Sequence, residues 1–242
     1  MRKRIPLRPG VNILIDYLSV EDRALIEPHL ELVDVPKRTM LESAGVAPAH
    51  SYFPISGVAS VITYTKGDRQ IEAGLFGYEG MSGISAITTG TCSPNDIFMQ
   101  IPGMALRIET NRFSDLQQAN WTLHTHFLRY IHSIIIQLAQ TALSNGQAKL
   151  EERLARWILM CHDRSDGDRL ELTHEFLSIM LGVRRAGVTV GTHLLEGKGL
   201  IRAERGRITI IDRAGLEAEA RGSYGVSEAE YLRLIPPQAP RG

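Results

Sequence analysis

The chain has 242 residues, with 27 Lys and Arg against 27 Asp and Glu, a formal net charge of +0 and a pI of about 7.1. This balance excludes a polyanion-binding tail, so any affinity for nucleic acid has to come from a local patch. The 43% hydrophobic and 22% charged residues suit one or two globular domains with a real core.

Cys92 and Cys161 belong to no C-x-x-C pair, which points to a reducing compartment and against a zinc or iron–sulfur site, so no metal or cofactor is expected. The longest apolar stretch, Ile131 to Ala142, is broken by His132, Gln137 and Gln140, and the N-terminus has no apolar signal core. No membrane partner is expected, and the chain reads as cytoplasmic.

Met1 to Gly10 is basic and contains prolines, the texture of a loose arm. Asn12 to His29 predicts one or two short helices, with Ser19 as an N-cap. From Leu32 to about Ile108 the chain changes to short β-prone runs separated by glycine turns, among them SYFPISG, VASVITYT and QIEAGLFGYEG. Many short, evenly spaced strands predict an antiparallel barrel or jelly roll. Asn111 to Ala119 is a short helix and Trp121 begins a long one, in which Phe127, Ile131, Ile134, Leu138, Thr141 and Asn145 alternate spacings of four and three. That is a heptad seam, fit either for packing within the chain or for a second copy.

Ser144 to Ala148 reads as a hinge, and Lys149 to Arg164 as an amphipathic helix with Leu150, Leu154, Trp157, Ile158 and Met160 inward. Cys161-His162-Asp163 at its end reads as a buried thiol, a cation at the negative end of the helix dipole and a cap, rather than as a catalytic group. Leu172 to Arg213 is the most informative stretch. Thr173 caps a helix carrying Phe176, Leu177, Met180 and Leu181; Gly182 and Val183 make a tight turn; a second helix runs from about Arg184 to Glu196, with Val188, Leu194 and Leu195 inward. Two β-prone runs, Leu200 to Ala203 and Arg207 to Ile211, follow around a turn at Gly206. Helix, turn, helix and hairpin make a winged helix-turn-helix, and Arg184, Arg185, Lys198, Arg202, Arg205, Arg207 and Arg213 give it a basic bias. Ala214 to Ala220 predicts a short helix, and Arg221 to Gly242 a Pro-rich tail.

The run LTHEFLSIMLGVRRAGVTVGTHLLEGKGLI resembles the DNA-binding domain of the Crp/Fnr family of bacterial transcription regulators. Leu172, Thr173, Leu177, Leu181, Gly182, Arg185, Val188, Leu195, Gly199, Leu200 and Ile201 fall on the family pattern. Two positions depart from it. Ala186 stands where the family has a base-reading Glu and Val190 where it has a second Arg, so the operator sequence does not carry over. The segment SYFPISGVASVITYTKGDRQIEAGLFGYEGM is similar to the family's cyclic-nucleotide-binding β-roll.

The resemblance implies an α+β fold: a sensor β-roll over 12–120, a connecting and dimerisation helix over 121–145, a winged helix-turn-helix over 149–220 and a tail over 221–242. It implies double-stranded DNA as partner, contacted by Arg184, Arg185, Thr189, Thr192, His193, Arg205 and Arg207, with RNA polymerase as a further candidate partner. It also implies a homodimer joined along Phe127, Ile131, Ile134, Leu138 and Thr141. Gly77, Glu79 and Gly80 mark the effector pocket. No basic residue lies between Arg69 and Arg107 to meet a cyclic phosphate, and Leu138 and Ala139 stand where relatives place a hydroxyl pair. Cyclic AMP and cyclic GMP are therefore not expected, and the effector is left unidentified. The alternative reading is a small-molecule sensor whose C-terminal domain is mainly a protein-interaction module. An enzyme has no nucleophile motif in its favour.

Overall fold

The computed structural model describes residues 10–67, 69–88 and 92–237; the expected arm over 1–9 and residues 238–242 of the tail lie outside them. Local caps start the fold. Asn12 Oδ1 accepts the Leu14 amide at 3.0 Å to open α1 (Ile13–Asp16), and its Nδ2 donates to the carbonyls of Pro54 and Gly80, each at 2.8 Å. Ser19 caps α2 (Val20–Ile26) as its sequence position predicts, accepting from the Asp22 amide at 3.0 Å.

Seven strands follow: β1 (Glu31–Val35), β2 (Met40–Glu42), β3 (His50–Pro54), β4 (Val58–Tyr64), β5 (Gln70–Phe76), β6 (Asp96–Ile101) and β7 (Gly103–Glu109). They form two antiparallel sheets, ordered β1-β7-β3 and β2-β6-β4-β5, with Val35, Leu41, Phe76, Ile97 and Met99 in one buried cluster. The short helix α3 (Ile84–Thr88) lies between β5 and β6, and α4 (Thr110–Ala119) leads into α5 (Trp121–Gln147). Gln137 Oε1 on α5 accepts the Leu75 amide of β5 at 2.9 Å, and a Cβ on Gly74 would meet that oxygen at 2.8 Å. A glycine there lets the helix lie against the strand.

Part of the seam expected on α5 faces the chain's own interior. Phe127 is fully buried beside Phe53 and Phe113, and the Thr141 hydroxyl donates to the Gln137 carbonyl and receives Arg156 Nη2, so both face the chain's own interior, where Ile134 also packs. The exposed stripe runs instead through Trp121, Leu128, Ile135 and Ala142, seven apart, flanked by half-buried Ile131 and by exposed Leu138 and Asn145. Ile131 and Leu138 belong to both readings. Two apolar stripes on one helix share the same 3,4 spacing, and only the packing shows which of them the N-terminal half covers.

The break expected over Ser144 to Ala148 falls at its last residue. Helix α5 runs to Gln147 and breaks at extended Ala148, and α6 (Leu150–His162) begins beyond Lys149. Then come β8 (Arg169–Leu170), α7 (His174–Leu181), α8 (Arg185–Gly197), β9 (Ile201–Glu204), β10 (Arg207–Ile210), α9 (Arg213–Glu219) and α10 (Val226–Leu234). Thr173 Oγ1 accepts the Phe176 amide at 3.2 Å, and Gly182 takes the left-handed conformation (φ +62°) that turns α7 into α8. Strands β8, β10 and β9 form the wing in that order. The strand β8 is not foreseen in the sequence.

The tail reading is corrected by α10. Ser227, Glu228 and Tyr231 are buried, and α10 packs along α5. Its Tyr231 hydroxyl donates to the Glu79 carbonyl at 2.7 Å, and Arg156 Nε donates to the Ser223 carbonyl at 2.9 Å just before it. The C-terminal core of Leu154, Ile158, Leu177, Val188 and Leu195 is continuous with Val58, Ile62 and Leu75 of the N-terminal sheet, so the two halves share one apolar cluster. Among the described residues no helix is long and apolar enough to cross a membrane.

Candidate nucleic-acid interface and sensor pocket

The outer face of α8 is built by its inner one. Val188, Thr192 and Leu195 are buried, which turns Arg185, Ala186, Val190, His193 and Leu194 outward. Two expectations change as a result. Thr192, expected on the outer face as a DNA contact, is fully buried and donates to the Val188 carbonyl at 2.8 Å. Leu194, expected inward, is exposed. Helix geometry accounts for both, since at 100° per residue Thr192 lies about 40° from Val188 and Leu194 about 120° from it.

Arg184 caps α8 and Arg185 opens it, both exposed. Arg205 is exposed at the wing turn beside Gly206. Among the described residues, no ion pair involves Arg184, Arg185, Arg202 or Arg205. Arg207 is held by Glu171 at 2.9 Å and by Glu204 at 3.6 Å, Lys198 by Glu219 at 2.6 Å, and Arg213 points away to Asp163 at 2.7 Å. The Thr189 hydroxyl bonds the Arg185 carbonyl at 3.2 Å and lies 3.2 Å from His174 Nδ1. Partial burial, and then the positive charges of Arg185 and His193, hold the pKa of His174 below its usual value.

The expected effector residues come together but are occupied by the chain itself. Glu79 accepts the Gly77 amide at 3.1 Å through Oε2 and Arg164 Nε at 2.7 Å through Oε1, and both side chains are almost wholly buried. Arg164 also donates to the Met160 carbonyl at 2.7 Å, and the Tyr78 hydroxyl to the Asp163 carbonyl at 3.0 Å. Burial works against the charge of Arg164, but the carboxylates of Glu79, Asp163 and Glu228 outweigh it and raise its pKa. Tyr130 on α5 clasps the turn from below, accepting the Met81 amide at 3.0 Å and donating to its carbonyl at 3.1 Å. A Cβ on Gly80 would sit 2.7 Å from that hydroxyl. The space left between Glu79, Arg164, Gln137 and Tyr231 is about 10 Å³, room for a single water. The Gly83 amide at the start of α3 is taken by Glu42 Oε1. An internal carboxylate thus sits where the Gly-rich turn would offer its amides to a phosphate.

A second buried cluster joins the halves. Trp157 Nε1 on α6 donates to Glu72 Oε1 at 2.6 Å, while Ser60 Oγ lies 2.6 Å from Glu72 Oε2 and 2.5 Å from Gln100 Oε1. The Gln100 amide is oriented so that Nε2 reaches Cys161 Sγ at 3.7 Å. Burial pushes Glu72 up to about 7, against the pull of Ser60, Trp157, Arg156 and Arg164.

The folded pKa lies above the unfolded value of 4.5, so the folded state holds the extra proton across the window between them. Stability then falls as pH rises from about 4.5 to about 7 and levels off above. Glu72→Gln should therefore gain on the wild type as pH is raised from about 5 to about 8 in chemical unfolding. A difference that does not change with pH would remove the titration from Glu72.

Residues 152–219 match the Crp-like helix-turn-helix domain. No curated protein matches the chain. Three solved structures show the fold. A Crp/Fnr-family chain from Eubacterium rectale superposes with a TM-score of 0.68 at 19% identity, covering 85% of this chain and 96% of that one. FixK2 from Bradyrhizobium japonicum gives 0.67 at 12% identity, covering 78% and 96%. A CRP-family transcriptional regulator from Thermus thermophilus, TTHB099, gives 0.66 at 18% identity, covering 78% and 97%. The chain has the fold of Crp/Fnr regulators: antiparallel β-roll, long helix and C-terminal helix-turn-helix. Its segment 152–219 is a Crp-like helix-turn-helix domain.

Arg164, Gln137 and Tyr231 are pocket groups that the sequence reading misses. Each lies tens of residues or more from Glu79 in the chain; Gln137 alone carries a signal, a polar residue on an otherwise apolar helix face, whereas Arg164 lies beyond the end of α6 and the buried face of α10 is itself polar.

Proposed function

We propose that the protein is a homodimeric transcription regulator that inserts α8 of each subunit into successive major grooves of a pseudo-palindromic DNA site. The observation that carries the reading is the exposed pair Arg184–Arg185 at the start of α8, beside Arg205 on the wing and inside a Crp-like helix-turn-helix domain. A helix in this position directs its N-terminal side chains to base edges, and a wing arginine meets the phosphate backbone. The stripe Trp121, Leu128, Ile135 and Ala142 suits pairing with its twin, and Asn145, in heptad register with Ile131 and Leu138, favours a parallel pair in one register. The filled pocket supports a sensor that takes no cyclic nucleotide in the family's usual manner.

The test is selection from random duplex DNA, followed by fluorescence anisotropy across a salt series. Arg185→Ala should cost about 1–3 kcal/mol and relax one base position per half-site. Arg205→Ala should weaken all sequences alike and make the salt slope shallower by about one per subunit. With Arg207 already engaged by Glu171 and Glu204, Arg205 is the better wing probe. Failure to enrich any sequence would leave the C-terminal domain as a protein-interaction module.

A further inference from the structure

The exposed face of α8 carries two parallel rows. Arg185, Thr189 and His193 make a polar row, and Ala186, Val190 and Leu194 make an apolar one beside it, each with one residue per turn. Val190 is 59% exposed and Leu194 46%, so the helix presents a narrow aliphatic ridge to solvent where a purely electrostatic DNA contact needs none. On the reading that this domain binds DNA, we propose that the ridge is a thymine-reading surface, in which Val190 buries the C5-methyl group of a thymine in the major groove beside the guanine held by Arg185.

The thymine methyl is the apolar feature of the major-groove edge, and no other base pattern gives an aliphatic side chain a partner. Ala186 and Val190 lie one turn apart, a rise of about 6 Å, which is close to two base-pair steps of about 3.4 Å. A methyl-bearing base two steps from the position under Ala186 would therefore fall beneath Val190. Ala186 is small enough to let that end of the helix approach the bases, and Arg185 on the neighbouring row is set for the adjacent purine.

The surroundings favour DNA over a protein partner. The ridge is one side chain wide, far short of the roughly 800 Å² per partner of a stable protein interface. Its rim holds Arg184, Arg185 and His193, with Arg205 on the wing, a cationic border rather than the charge-depleted centre of a protein contact.

The experiment uses the full chain and its selected operator, with each thymine replaced in turn by deoxyuridine, which removes only the methyl group. At one thymine position per half-site the replacement should weaken binding about four-fold, the equivalent of about 0.8 kcal/mol for one buried apolar carbon. Val190→Ala should lose a similar factor on the unmodified operator and become indifferent to deoxyuridine at that position alone. Arg185→Ala should keep the deoxyuridine effect. Val190 is on the surface, so its variant tests recognition rather than folding.

If every deoxyuridine operator binds like the parent while Arg185→Ala still loses specificity, the ridge does not read thymine although the DNA reading stands. Val190→Ala with unchanged affinity would overturn the proposal in the same way. If no operator can be selected at all, both the proposal and the DNA reading fall together.

Discussion

Replacing Arg164 by alanine should cost the fold about 3–5 kcal/mol, the usual penalty for removing one partner of a buried ion pair. Glu79 would keep the Gly77 amide at 3.1 Å but lose the guanidinium at 2.7 Å, in a site with room for only one water. The loss would spread because Arg164 also faces Asp163 and Glu228, and Asp163 in turn anchors Arg213 at 2.7 Å and the Tyr224 hydroxyl at 2.5 Å. Pairing the change with Glu79→Gln should recover much of the loss, since an amide oxygen can still accept the Gly77 amide without leaving a charge behind. Urea unfolding of the two single variants and the double variant completes the cycle. A single variant within about 1 kcal/mol of wild type would mean that another cation relieves Glu79.

Ile135→Asp should split the proposed dimer without unfolding the subunit. Ile135 is 56% exposed on α5, so the isolated chain tolerates a carboxylate there, whereas in a paired seam two carboxylates would face each other away from water. The cost should be on the order of 3–5 kcal/mol, which raises the dissociation constant at least about a hundredfold and is read by sedimentation. Phe127→Ala is the contrasting variant. That ring stacks edge-on to Phe113 at 4.9 Å between centroids, so its loss should destabilise the sensor by about 3–5 kcal/mol. If Phe127→Ala instead gave a folded monomer and Ile135→Asp a normal dimer, the seam would be the one first expected from the sequence.

Those two variants also mark where the sequence stops speaking. Thr173, Gly182 and Gly206 each bear a local signal, a cap or a left-handed turn, and the helix-turn-helix and wing follow from them directly. The α5 stripes bear none. Phe127, Ile134 and Thr141 have the same period as Leu128, Ile135 and Ala142, so periodicity finds the helix but not which side the sensor covers. Thr192 and Leu194 are misplaced when residue type is weighed above helical angle. Arg164 is invisible for another reason, since its partner is 85 residues away and a terminal arginine on an amphipathic helix looks solvated. The same holds for VSEAEYLRL, whose weak apolar pattern becomes a helix only against α5 and the Glu79 turn.

The position of α10 limits how the two halves can move. The C-terminal half meets α5 through the chain at Ala148–Lys149, through Arg156 Nη2 on the Thr141 hydroxyl at 3.2 Å, and through α10, which returns to lie along the same helix. These contacts add to the apolar core that the two halves already share. Any larger reorientation of α8 has to peel α10 from α5 and break the Tyr231 bond to Glu79. The orientation of α8 relative to the β-roll is therefore set by the shared core and by α10 together.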